Sequence, residues 1–419
     1  MRILFVTHNV PRFPGDLAGS FVLRLAVGLQ HRGARVEIIA PGATDLASSG
    51  TLDGVPIVRV PYAANTHMTL AYTGTMVEQV TTSWRARFAL LGMLRALRRV
   101  SRERVRDAMR QGDPFDVVHT HWWFPAGLAL WRLWAPQRAR ATTPFRVLTM
   151  HGSDVRLAQK LAPAKRLMAA VCAEYDVLTA VSTWLANTAM RTAPTLGVSV
   201  APMPVDTSHF ALPAEEQRSG VLFVGRLNAQ KGAADLLSAL AQPAVRQALG
   251  AGLVHIVGEG PDREALETRA NQLGISDRLR WHGILKPDAL AVMYQRAIAV
   301  VMPSREEGLG LVAVEAQLCG AAVVAYDSGG IRDVVQPAFG GTLVEVGALD
   351  ALAAAITSLL IDPAAAADRG RRAHDVMAAR FSPDAVAEQY LSFYQADRRP
   401  RRGNSSATPQ PPDGTRVPS

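Results

Sequence analysis

Short apolar runs rich in Val, Ile and Leu alternate along the chain with longer stretches whose apolar positions recur every three or four residues. "RILFVT" predicts a strand, followed by a helix from about Ser20 with Phe21, Leu25 and Leu29 on one face and Gly33 as its stop. "RVEIIAP" predicts the next strand. "DVVHTH" (Asp116 to His121), "RVLTMHG" (Arg146 to Gly152) and "DVLTAVS" (Asp176 to Ser182) read as buried parallel strands, each followed by a helical segment. A polar, Pro-containing stretch, His209 to Gly220, reads as a linker. The rhythm then restarts with "VLFVGRL", "LVHIVGEG", "RLRWHG", "AIAVVMPS" and "AAVVAYDSGG".

Alternation on this scale predicts two doubly wound α/β domains, and 419 residues are too many for one ordinary core. The expected division is 1–208, 209–380, a C-terminal helix 381–397 returning to the first domain, and a tail 398–419. The tail is rich in Pro, Ser and Gly and is expected to be disordered. Ligands of doubly wound domains sit outside the carboxyl ends of strands. That selects His8 to Ser20, His119 to Trp123, His151 to Asp154, Gly225 to Gly232, Gly258 to Pro261, Trp281 to Gly283 and Ser304 to Gly310.

Composition narrows the classes. The chain is 48% hydrophobic and 19% charged, and no apolar run approaches the roughly 18 residues of a membrane span, so a cytoplasmic protein is expected. Cys172 and Cys319 have no metal-ligand spacing and read as packing residues. The net charge of +9 is local: Trp84 to Arg110 holds nine Arg against Glu103 and Asp107, and the tail holds five Arg against Asp413. A nucleic-acid partner is therefore not expected.

Chemistry concentrates in the second half. "VGRLNAQKG" (Val224 to Gly232) places Arg226 and Lys231 between a strand and a helix, where cations and free backbone N–H groups favour an anion; a solvated surface loop is the other reading. It is not a P-loop, because the Lys precedes the glycine. "GEGP" (Gly258 to Pro261) lacks the third glycine of a dinucleotide fingerprint. In "SREEGLGLVAVEAQLCG" Glu307 follows a buried strand, Gly308-Leu309-Gly310 lets backbone approach a ligand, and a helix follows through Val312, Val314 and Leu318. Counted as helix, Glu307 and Glu315 fall roughly on one side, at most about 12 Å apart. One carboxylate would meet sugar hydroxyls and the other ribose, with a diphosphate over the glycines. Alternatively Glu307 caps the helix and Glu315 is solvated.

This segment resembles the E-x7-E motif of the retaining glycosyltransferases of family 4, "VGRLNAQKG" resembles their donor-phosphate loop, and "GGIRDVV" (Gly329 to Val335) resembles the pattern after the second Glu. "PRFPGDLAGSFVLRLAVGLQHRGARVEIIAP", "DVVHTHWWFPAGLA" and "HGSD" at His151 are looser matches, and the similarity spans about Met1 to Gln395. The resemblance implies the GT-B fold, two Rossmann-like domains facing a central cleft. It implies that Arg226 and Lys231 hold donor phosphates, that Glu307 contacts the transferred sugar, and that Glu315 binds ribose. Backbone amides from Gly308, Leu309, Gly310 and Leu311, with Gly19, would complete the anion cradle, and His151 would reach a donor-sugar hydroxyl. Two departures stand out: Ala18-Gly19 replaces a double glycine, and Met203-Pro204-Val205-Asp206 replaces Asn-Gly-Val-Asp.

No D-x-D occurs, so fixed cations rather than a metal are expected to neutralise the leaving group, and no cofactor is expected beyond the nucleotide-sugar donor. The acceptor is left open. Other classes are a nucleotide-sugar epimerase or phosphorylase on the same fold, or a non-catalytic sugar-nucleotide binder. Base selectivity is expected from backbone near Trp281 to Ile284. Within Trp84 to Arg110, Leu90, Met93, Leu94, Leu97 and Val100 share one helical face opposite Arg95, Arg98, Arg99, Arg102 and Arg106. Either this helix packs on its sheet with a solvated Arg face, or Trp84, Phe88 and the Arg face meet an anionic membrane surface.

Overall fold

The computed structural model describes residues 1–44, 46–64, 67–72, 76–133, 143–214 and 217–395; the expected tail, 398–419, lies outside them. Strands β1 (Arg2–Val6), β2 (Arg35–Pro41), β3 (Ser49–Leu52), β4 (Val55–Val60), β5 (Val117–His121), β6 (Phe145–Met150), β7 (Val177–Ala180) and β8 (Ser199–Val200) form one sheet in the order β3-β4-β2-β1-β5-β6-β7-β8. Strands β9 (Val221–Val224), β10 (Val254–Val257), β11 (Leu279–Gly283), β12 (Ala299–Met302), β13 (Ala322–Tyr326) and β14 (Thr342–Val344) form the second, β11-β10-β9-β12-β13-β14. Pairing is parallel throughout except β3 on β4. Phe5 sits between Ile38 and His119, and this register aligns the carboxyl ends of β1 and β5 on one edge. The central strands are buried on both faces because helices cover both, which is why they read as continuous apolar runs.

The expected strands all form, with three differences. The β3–β4 hairpin and the short strands β8 and β14 were not anticipated: β3 is exposed and Ser- and Gly-rich, so it carries no alternation, and β8 and β14 are only two and three residues long. The hairpin's available signal was Asp53-Gly54, whose φ values of 49° and 78° suit a two-residue hairpin turn. Among the described residues no long helix follows β5; an irregular turn, Trp123–Gly127, leads to the three-residue Leu128–Leu130. The expected linker is not merely a tether, since Phe210 is buried with its ring edge on Tyr294.

Helix Trp84–Arg110 forms, with Ser83 as its cap. Met93 and Leu97 are fully buried, whereas Leu90, Leu94 and Val100 are only partly covered. Its Arg face is not uniformly solvated: Arg98 donates to the carbonyls of Ala129, Trp131 and Arg132, and Arg104 pairs with Glu37. Trp84, Phe88 and Leu91 are exposed on the outward side.

Helix Pro383–Gln395 lies against Ser20–His31, where a Cβ on Gly28 would meet the Pro383 carbonyl at 2.4 Å. Its Tyr394 hydroxyl bonds His119 Nδ1 at 2.7 Å, and Tyr390 donates to Ala201 O at 3.2 Å. The last helix is thus tied to strands of the first sheet. The two lobes meet along a seam where the loops after β6 and β7 face the loops after β12 and β13: Ser182 Oγ donates to Gly308 O at 2.5 Å, and Thr183 N–H donates to Asp333 Oδ2 at 2.6 Å.

Candidate functional site

The loop after β9 turns once through Ala229–Lys231, with the Asn228 side chain accepting from Lys231 N at 3.2 Å. Gly232 follows at φ 69°, where a Cβ would strike the Pro303 carbonyl at 2.0 Å. That close approach zips this loop to the one after β12: Arg305 N–H donates to Gln230 O, and Gln230 Nε2 donates to Glu306 O. Lys231 is left pointing across, with Nζ 2.6 Å from Glu307 Oε1. Both side chains are largely withdrawn from solvent.

Glu307 is not on the helix. Helix Leu311–Leu318 starts four residues later, with Gly310 at its N-cap position (φ 92°) and no side-chain cap. The expected helical alignment of Glu307 with Glu315 is therefore wrong in its geometry: Glu307 belongs to a loop shaped by its neighbours. Gly330 N–H donates to Glu307 O at 2.8 Å, Ser328 Oγ donates to Ser304 O, and a Cβ on Gly329 would come within 2.1 Å of Glu307 O. The Gly329-Gly330 pair is thus what lets the Glu307–Gly310 loop sit down on the turn after β13. Across the seam, a Cβ on Gly308 would lie 3.2 Å from His151 O.

These loops enclose a cavity of about 390 Å³ between the lobes, lined by Lys231, Glu307, Gly308, Leu309, Gly310, Leu311 and Val312 on one side. Asn9, Phe21, Trp122, His151 and Ser153 line the other. The helix start aims its unpaired N–H groups at this space, a setting that favours an anion. Glu315 lines a neighbouring cavity of about 80 Å³ that shares Phe21 and Leu311 with the first. There it accepts from the Tyr294 hydroxyl at 2.9 Å, and burial raises its pKa to about 7 despite that bond. Gly19 (φ 66°) is the N-cap of Ser20–His31 and packs on Asn9. Arg226 stands apart: it is exposed, lines neither cavity and has no acceptor among the described residues.

The opposite wall is neutral and aromatic. His151 stacks on Trp122 at 4.0 Å between centroids and its Nε2 lies 3.1 Å from His121 Nδ1. Burial depresses His121 to about 3, His8 to about 4 and His151 well below the ordinary range, so these imidazoles are uncharged near neutral pH. Asp154, pushed up to about 6 by burial, accepts from the N–H groups of Trp123, His151 and Gly152 and so fixes both loops of this wall.

Residues 18–209 match the family model described as Glycosyltransferase Family 4, and residues 204–376 match Glycosyl transferases group 1. Over 94% of its length the chain is 31% identical to the GDP-mannose-dependent alpha-(1-6)-phosphatidylinositol monomannoside mannosyltransferase of Mycobacterium tuberculosis, 98% of which is covered. The chain belongs to the family 4 glycosyltransferases. This glycosyltransferase is also 30% identical to the D-inositol 3-phosphate glycosyltransferase of Xylanimonas cellulosilytica, covering 93% of the chain and 94% of the relative. Among solved structures it superposes on sucrose-phosphate synthase from Thermosynechococcus elongatus with TM-score 0.74 at 22% identity, over 94% of this chain and 99% of that one. Anabaena HepE in complex with UDP-glucose gives 0.66 at 17% identity, over 94% and 100%. These likenesses establish the GT-B fold of this glycosyltransferase.

The sequence selected the loops that hold Asn9, His121, Trp122 and Asp154 and placed Phe21 on a helix face, but it gave none of these residues an individual role; together they build the wall facing Glu307. The aromatic ones read as core, and Asp154 in the first turn after "HGS" was the one available hint of a loop-fixing carboxylate.

Proposed function

We propose that this glycosyltransferase moves a sugar from a nucleotide diphosphate sugar to an acceptor hydroxyl with retention of anomeric configuration and without a metal ion. The observation that carries the reading is the Lys231–Glu307 contact, set at the start of helix Leu311–Leu318 inside the interlobe cavity. The relative named for GDP-mannose and the neighbour crystallised with UDP-glucose support a nucleotide-sugar donor. As the bond to the departing diphosphate breaks, negative charge grows on phosphate and positive charge on the anomeric carbon. Lys231 and the free N–H groups from Gly308 to Leu311 stabilise the first. Glu307 accepts from sugar hydroxyls, Glu315 from ribose, and His151 meets the sugar from the opposite wall. The leaving phosphate takes the acceptor's proton. Gly19 and Arg226 serve the outer edge of the anion site.

The test is turnover of radiolabelled GDP-, UDP- and ADP-sugars in the presence of EDTA, preceded by a thermal-shift panel of the same ligands. Transfer by the wild type that vanishes in Lys231→Ala and Glu307→Ala is expected. Unchanged turnover in both variants overturns the site, and dependence on a divalent ion overturns the metal-free reading.

A second reading concerns the acceptor. Trp84 and Phe88, 64% and 66% exposed and edge-to-face at 6.0 Å, continue along the helix into exposed Arg95, Arg99, Arg102 and Arg106. That stripe suits an anionic bilayer at the cytoplasmic side and hence a lipid-linked acceptor. Sedimentation with anionic but not neutral vesicles is expected; equal binding to both, or to neither, removes it.

A further inference from the structure

The loop after β5 contains groups to which the proposed reaction gives no task. Trp122 has φ 65° and ψ 128°, a conformation rare for a side-chain-bearing residue and costing about 1–3 kcal/mol. The fold imposes it: Trp122 N–H donates to Thr149 O at 2.8 Å, and Gly127 N–H donates to Trp122 O at 3.0 Å. What this conformation achieves is a placement of the indole. Its face covers the His151 imidazole at 4.0 Å and 29°, while the edge of His8 meets it at 4.5 Å. Phe21, 5.2 Å from the same imidazole, further restricts the ring.

Proton counting then constrains the His121–His151 pair. Both rings are neutral, so one proton serves the 3.1 Å contact between His121 Nδ1 and His151 Nε2. The other nitrogen of His121, Nε2, is enclosed and has no partner among the described residues. If His151 supplied the shared proton, His121 Nε2 would carry an enclosed N–H with nothing to accept it. If His121 supplies it, Nε2 keeps only a bare lone pair. Orphaned buried N–H groups are the rarer of the two. His151 Nδ1, by contrast, has no partner among the described residues and is not among the enclosed orphan atoms, and the residue lines the interlobe cavity.

We propose that His121 and Trp122 are positioning residues that lock His151 as an Nδ1–H hydrogen-bond donor aimed into the interlobe cavity. His121 sets the tautomer and Trp122 sets the plane. The ligand atom so served is an oxygen lone pair, a hydroxyl or ring oxygen of the sugar, and His151 removes no proton from it. This rests on the reading that the transferred sugar occupies the cavity.

The test has two arms. Long-range proton–nitrogen correlation spectra of the full chain carrying 15N-histidine, assigned with single-His variants, report each tautomer in the wild type. The Nδ1–H form is expected at both His121 and His151, and an Nε2–H form at His151 overturns the proposal. In the second arm, His121→Leu lowers kcat for the sugar donor by about 10- to 100-fold, the scale on which loss of an orienting partner acts, with KM little changed. His121→Asn, which keeps an amide N–H near the Nδ1 position, restores most of that loss. Equal activity in the two variants overturns the positioning role. Should no nucleotide sugar be turned over by the wild type, the reading of the reaction fails, and the spectra still decide the tautomer by themselves.

Discussion

The two walls of the interlobe cavity are built on opposite principles. The wall from the second sheet is charged and lean: Lys231 and Glu307 meet at 2.6 Å, and glycines at 232, 308, 310, 329 and 330 let backbone come close. The wall from the first sheet is neutral and bulky, with Trp122, His151, His121 and Phe21 in mutual ring contact. A charged wall holds an anion through long-range attraction and tolerates some looseness, whereas a neutral wall must act by shape and by the placement of single N–H groups. Substitutions on the charged wall should therefore act on the chemistry outright, and those on the neutral wall through geometry.

The largest effect is expected at the ion pair. Lys231→Met and Glu307→Gln each remove one member without altering size much, and loss of a preorganised charge-stabilising group costs about 10²–10³ in kcat. Steady-state kinetics with the best donor of the panel checks this. The double variant is expected to lose less than the product of the two single losses, because the groups touch and act together. Multiplying losses would mean that the two act on separate events.

Next comes the seam between the walls. A Cβ at Gly330 would lie 2.1 Å from Gly308 O and 2.5 Å from Ser182 Oγ, so Gly330→Ala must push the lobes apart or displace the Glu307 loop. An overpacking cost of about 1–3 kcal/mol is expected, seen as a lower midpoint in thermal melting and as weaker donor binding. A melt identical to wild type would show that the seam opens freely and that the walls need not be held at this distance.

The unequal chemistry of the walls also explains what could be read in the sequence. The strands were legible because both faces are covered, leaving unbroken runs such as "AVVM" and "AVVAY". The charged wall was legible because carboxylates and cations among apolar runs need partners, and glycine marks close approach. The neutral wall was legible only in part: His151 stood out after its strand, whereas Trp122 and His121 look like any buried residues, and their meaning lies in ring planes and one positive φ. The position of Glu307 relative to Glu315 was misread for a third reason, since counting residues as helix assumed a start at Glu307, and the helix begins at Leu311.

Glu315 provides a smaller, pH-dependent effect. Its folded value near 7 stands above the ordinary 4.5 because burial disfavours the charged form. The fold is therefore most stable, in this term, below about pH 4.5, loses stability as pH rises toward about 7, and levels off above. Glu315→Gln is expected to flatten that slope in melting experiments. Ribose hydroxyls donate best to the ionised carboxylate, so KM for the donor is expected to fall by up to about tenfold between roughly pH 6 and pH 8, with Glu315→Gln showing no such fall.

The smallest effect is expected at Arg226, and it measures how far the charged wall reaches. The residue follows β9 as Lys231 does, yet it is exposed, lines neither cavity and is held by nothing among the described residues. A guanidinium in that setting attracts an approaching diphosphate through water, and the attraction weakens once the screening length drops from about 10 Å at 0.1 M salt to about 3 Å at 1 M. Arg226→Ala is expected to raise donor KM only severalfold at low ionic strength, to leave kcat unchanged, and to become indistinguishable from wild type at high salt. A loss of kcat that persists at high salt would mean that Arg226 swings onto the phosphates when donor binds, which would extend the charged wall past Lys231 to the outer edge of the cleft.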